Sequence, residues 1–144
     1  MTNSKQLYQQ DYNLWLEEIA IAIKEKAFDA MDWDNLLEEI EDMGASQKRA
    51  LRSFTKRLIE HILKLKFWQL ELERNRNHWE AEVVNFREEI KQILQDSPSL
   101  KNYLQENYSQ WYESSVKSKK KEFSIPNDCF VELKLILKED YFGQ

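Results

Sequence analysis

DWDNLLEEIEDMG, residues 32–44, decides how the chain is read. Six of its thirteen residues are acidic, and Leu36, Leu37, Ile40 and Met43 recur at the spacing of one helix face. Asp32 is placed to cap the helix, and Asp34 puts negative charge in the first turn, where the helix dipole favours it. Gly44 suits the left-handed position just past a helix C-terminus. Glu41 and Asp42 would then lie in the last turn, where the dipole disfavours acids. The next segment offers the opposite mismatch. Ser46 is placed to cap a helix from 47 to the low 70s, whose first turns carry Lys48, Arg49, Arg52, Lys56 and Arg57. A tight antiparallel hairpin around Gly44-Ala45-Ser46 brings acids and bases together and cancels both. Each exposed pair is worth only about 0–1 kcal/mol, so the expected role of the charges is to orient the hairpin.

Composition points the same way. The chain has 144 residues, two Gly and two Pro, too few breakers for the turns of a β-protein. Eighteen aromatic residues supply a helical core. The length predicts one domain over 1–144. The net charge of −5 is strongly segregated. Residues 1–45 carry 3 basic and 11 acidic groups, net −8, whereas residues 46–66 carry 7 basic and 1 acidic, net +6. Adjacent blocks of opposite sign predict pairing within the protein before they predict nucleic-acid binding. The single cysteine, Cys129, rules out an intrachain disulfide. With an N-terminal stretch MTNSKQLYQQDY that lacks an apolar core, and no long apolar run, it leads us to expect a cytoplasmic protein with no membrane contact.

Outward from the opening stretch, helical spacing continues. A first helix is expected over 5–27, with Tyr8, Tyr12, Trp15, Ile19 and Ile23 on one face. In the third, Leu51, Phe54, Leu58, Ile62 and Leu65 mark the core, with His61 and Trp68 at its edge. ELERNRN, 71–77, loses apolar content and predicts a break. A fourth helix follows over 78–95. Ser97 and Pro98 are placed to cap and open a fifth helix ending in KSKKKE, 117–122. Asp128 is placed to cap a short last helix, and Tyr141 and Phe142 are expected to tuck into the bundle. The expected fold class is all-α: a compact bundle of five to six amphipathic helices with an antiparallel hairpin around Gly44.

Several stretches together carry a resemblance: YQQDYNLWLEE, FDAMDWDNLLEEIEDMG, KRAL, HILKL, NHWEAEVVNFREEI and DSPSL. They resemble a bacterial family abundant in cyanobacteria, the domain-of-unknown-function family number twenty-nine. The resemblance covers nearly the whole chain and is most specific at 32–44. It implies an all-helical domain and no established activity, so no catalytic residue is carried over. The family often shows a Cys-Pro pair before its last helix, whereas here Cys129 precedes Phe130.

Two function classes follow. The first is an interaction or regulatory domain with no catalytic constellation, whose partner is another protein or a second copy. The second is a metal-dependent phosphohydrolase or nuclease-like enzyme. Its candidate ligands are Glu38, Glu39, Glu41 and Asp42, since carboxylates three or four apart share a helix face and can hold a hard cation, together with His61 on the facing helix. Glu17 and Glu18 would supply an outer shell. The simpler reading makes the same acids the charged half of the hairpin. No other cofactor is expected: two histidines and one cysteine give no zinc spacing, and glycines only at 44 and 143 exclude a P-loop. Nucleic-acid binding would rest on KSKKK and the basic turns after Ser46, against an isoelectric point near 5.2.

Overall fold

Asp11 divides the first expected helix. Its carboxylate accepts from the Leu14 backbone N–H at 3.0 Å, the bond of an N-cap. The chain therefore forms α1, Ser4–Gln10, and a separate α2, Tyr12–Lys24. At its far end α2 closes without a glycine. Lys26 takes the left-handed position at φ 55, and the Lys26 and Ala27 N–H groups return to the Ile23 and Ala22 carbonyls, the Schellman pattern. A short 3₁₀ turn, Phe28–Ala30, leads into α3, Trp33–Phe67. Then come α4, Gln69–Asp96, α5, Leu100–Lys119, and the single-turn α6, Leu133–Ile136. The computed structural model describes residues 4–144; residues 1–3, which begin the N-terminal stretch read above for a leader, lie outside the described residues. Among the described residues the protein is all-α, with no strand, and no helix is long and apolar enough to cross a membrane.

The hairpin expected around Gly44 does not form. α3 runs unbroken for 35 residues through Gly44, Ala45 and Ser46. A glycine inside a helix costs only about 1 kcal/mol relative to alanine, and no proline stands nearby to stop propagation. Continuity also removes the problem that the hairpin was invoked to solve. Glu41, Asp42, Lys48 and Arg49 lie far from either end of α3, so none of them opposes a helix terminus. Two other boundaries differ. The break comes at Trp68 alone, and ELERNRN is helical; its lost apolar content marks an outer face, where Glu71 pairs with Arg74 and its carbonyl accepts from Asn75. Nor do Ser97 and Asp128 cap. The Ser97 hydroxyl donates to Gln47 Oε1 at 2.9 Å, and α6 is preceded by Glu132.

The chain divides into two units, 1–46 and 47–144. The first has a small core of Leu7, Trp15, Ile19, Ala22 and Met31, with Tyr8 and Leu36 against it. Asp32, itself buried, ties it together. Its carboxylate accepts from the Trp15 indole N–H at 3.0 Å, from the Asn35 side chain at 2.7 Å and from the Asn35 backbone at 3.4 Å. The expected cap of α3 is thus also the anchor of α2. The second unit has a larger core around Leu58, Ile62, Val83, Ile90, Leu104 and Ile136. Trp68 stacks on both Trp79 and Phe123, which adds to area burial. Tyr141 is buried in this core and Phe142 packs at its edge, as expected. Gly143, at φ 94, lies so close to α3 that a Cβ there would come within 3.2 Å of the Lys66 nitrogen.

Candidate functional site

The acidic run lies in the first unit. Its four carboxylates differ in what they touch. Glu39 accepts from the Tyr8 hydroxyl at 2.5 Å and the Tyr12 hydroxyl at 2.6 Å. Those two tyrosines sit at i and i+4 in sequence and form an aromatic cluster with Trp15. The bonds from Tyr12 and Tyr8 hold the Glu39 carboxyl below its usual range, and the same bonds raise both phenols. Glu38, Glu41 and Asp42 point into water and make no ion pair among the described residues. Beside them Leu37, Ile40 and Met43, expected in the core, are 57%, 53% and 63% exposed. Only Leu36 of that stripe packs inward.

His61 lies in the second unit, so the hairpin that would have set it opposite the acids is absent. Its Nδ1 donates to the Arg57 carbonyl at 2.8 Å, and its Nε2 is 3.1 Å from a Glu82 carboxylate oxygen. The ring meets Phe86 edge-on at 5.1 Å. His78 approaches the other Glu82 oxygen at 3.6 Å. Burial pushes the His61 imidazole below its ordinary value, assisted by Lys64 and Lys119, against the Arg57 carbonyl and Glu82, which raise it. Among the described residues no group of three or more His, Cys, Asp or Glu is arranged to hold a metal ion. Glu17 accepts from the Asn13 side chain within α2 at 3.4 Å, and among the described residues neither Glu17 nor Glu18 is hydrogen-bonded to the acidic run.

The most constrained polar residue escaped the sequence reading. Arg87 is buried. Its guanidinium donates to the carbonyls of Ile136 at 2.9 Å, Glu139 at 3.4 Å and Tyr141, and it lies 5.4 Å from the Phe142 ring centre. Five fixed donors in a plane suit arginine to strapping a chain segment in this way. The signal was present: Arg87 falls between Val83 and Ile90 at helical steps, a charge set in an apolar stripe. A groove of about 790 Å³ opens beside it, lined by Ile90, Leu94, Pro98 and Leu137 along with Lys91 and Glu139. Charges of both signs line it, so it selects no ligand by charge. Cys129 is half-buried, with its sulfur 3.3 Å from the Tyr112 hydroxyl.

Two helical cores, a tail strapped by one arginine and a long charged helix define the class: an all-α protein. Within that class, the chain belongs to the family described as Domain of unknown function DUF29, whose model matches residues 7–142. That span agrees with the resemblance read from the sequence and attaches no activity to it. No curated protein and no solved structure matches the chain.

Proposed function

We propose that this is an interaction module of the cytoplasm, one functional domain over 1–144. It would bind a protein through the exposed apolar strip of early α3 and the acids that border it. One observation carries the reading. Of the fourteen large hydrophobic side chains exposed among the described residues, ten belong to the first unit, including Trp33, Leu37, Ile40 and Met43. Trp33, Leu37 and Ile40 fall at helical steps on one face, and an exposed apolar face bordered by charged residues is the mark of a contact surface. Two facts favour this over a metal-dependent hydrolase built on Glu38, Glu39, Glu41, Asp42 and His61. Glu39 already accepts two hydroxyl bonds, and His61 already faces Glu82. The acidic balance of the first unit speaks against nucleic acid.

A photo-crosslinking residue at position 37 tests the reading in the cells that make the protein, with position 70 as the control, since Leu70 is exposed in the second unit. A protein adduct at 37 and none at 70 is expected. Absence of any adduct at 37 would overturn the proposal.

A further inference from the structure

Leu37 lies where the exposed strip of early α3 meets its acids. Its neighbours three and four positions away are Trp33 and Ile40 on one side, and Asp34 and Glu41 on the other. All five side chains are exposed. Asp34 pairs with Lys5 at 3.1 Å. Glu41, and Glu38 three positions before it, make no ion pair among the described residues. A helix surface ordinarily sets a Lys or Arg three or four positions from an acid. Here the positions around Glu38 hold Asp34, Asn35, Glu41 and Asp42, and those around Glu41 hold Leu37, Glu38, Gly44 and Ala45. The pairs Asp34–Glu38, Glu38–Glu41 and Glu38–Asp42 are therefore repulsive. From Ala27 to Ser46, the end of the first unit, there are seven acids and no Lys or Arg. The apolar strip is thus bordered by negative charge that its own unit does not answer.

We infer that Trp33, Leu37 and Ile40 take an amphipathic helix of a partner protein, one whose apolar face is edged by Lys or Arg where it meets Glu38 and Glu41. The inference rests on the interaction reading above and names the chemistry of its partner. Side chains at i, i+4 and i+7 present a ridge of the kind that a second helix packs against, with the two axes about 8–10 Å apart. Cations on the partner's edge would offset the repulsion among the acids and speed the encounter. Charge also selects against the other occupants. A second copy would bring a strip edged by acids to a strip edged by acids. An anionic membrane surface would be repelled in the same way. Only a basic edge supplies what the sequence from Ala27 to Ser46 lacks.

Three labelled helical peptides of about four turns test this against the full chain by fluorescence anisotropy. The first has leucines at steps of three and four edged by lysines. The second has the same leucines edged by glutamates. The third keeps the lysines and replaces every leucine with serine. At low salt the lysine-edged peptide should bind about tenfold more tightly than the glutamate-edged one, and the preference should shrink as salt shortens the Debye length. The serine peptide should not bind. Glu38→Lys with Glu41→Lys should hold the glutamate-edged peptide more tightly than the wild-type chain does, a gain that misfolding cannot produce. Leu37→Ser should abolish binding, and Leu70→Ser should leave it intact. A wild-type chain that binds neither leucine peptide, or both equally, overturns the inference, as does a charge-reversed variant that gains nothing. So does a wild-type dimer in sedimentation that Leu37→Ser dissolves, because a second copy then fills the strip. The position-37 adduct separates the two failures. An adduct whose linked segment is acidic or uncharged leaves the interaction reading standing and removes the basic helix. If no adduct forms, both fall.

Discussion

α3 carries one apolar stripe and gives its two ends opposite fates. Trp33, Leu37 and Ile40 recur at steps of four and three, as do Leu51, Leu58, Ile62 and Leu65 at steps of seven, four and three. The first group lies in water and the second is buried. The difference is supply. The second unit has α4, α5 and the strapped C-terminal segment to lay over the stripe, and its core gathers nineteen buried apolar side chains. The first unit has α1, α2 and a single turn, with five such side chains among its described residues. A unit of that size struggles to bury enough surface. Periodicity states that a helix has an apolar face; it does not state that anything covers it.

The largest expected effect bears directly on this contrast. Leu58→Ala removes a fully buried side chain and should cost about 2–5 kcal/mol in urea unfolding. Leu37→Ala, at the other end of the same stripe, should change stability by no more than about 0.5 kcal/mol. A Leu37→Ala cost comparable with that of Leu58→Ala at low protein concentration would mean that the first end of the stripe is covered within one chain, and the comparison would break.

What could be read in advance follows the same division. Helical class, the cap at Asp32, the core residues Leu51 to Leu65 and the tucked Tyr141 all rest on local chemistry or on period, and both are written in the chain. The hairpin at Gly44 was inferred from charges opposing helix ends. That argument assumed the ends were there, and a glycine signals a C-terminus only where the chain turns. The same turn was the route by which His61 was expected to reach the acids, and α3 runs through it unbroken. Arg87 and the Tyr8–Tyr12–Glu39 cluster depend on which segments meet in space. A charge inside an apolar stripe and a Tyr pair at i, i+4 were their only traces in the sequence.

Gly44→Ala sharpens that point with a smaller effect and a definite sign. A Cβ at Gly44 meets nothing within 4 Å, and alanine is the better residue inside a helix. The substitution should stabilise the protein by about 0.5–1 kcal/mol, read from the urea midpoint at constant slope. In a hairpin with Gly44 in the left-handed cap position, the same change would destabilise.

The smallest expected effect separates the two units by pH. Glu39 and His61 both have lowered pKa values for different causes: hydrogen bonds from Tyr12 and Tyr8 in the first unit, burial in the second. When the folded pKa lies below the unfolded one, the unfolded chain takes up protons first, so folding weakens as pH falls. For His61 the loss begins as pH drops through its ordinary value of 6.5. For Glu39 it begins only near 4.5. Between those values the second unit should lose stability while the first is unaffected. Hydrogen exchange resolved by residue reads the two separately, with faster exchange around His61 and none of the change around Glu39. His61→Gln should flatten the upper step, since glutamine carries no titrating proton. Tyr8→Phe and Tyr12→Phe should each raise the Glu39 midpoint in an NMR titration and leave the upper step in place. An upper step that persists in His61→Gln would show that burial of this imidazole is not its source. The pH dependence would then have to come from other groups of the second unit.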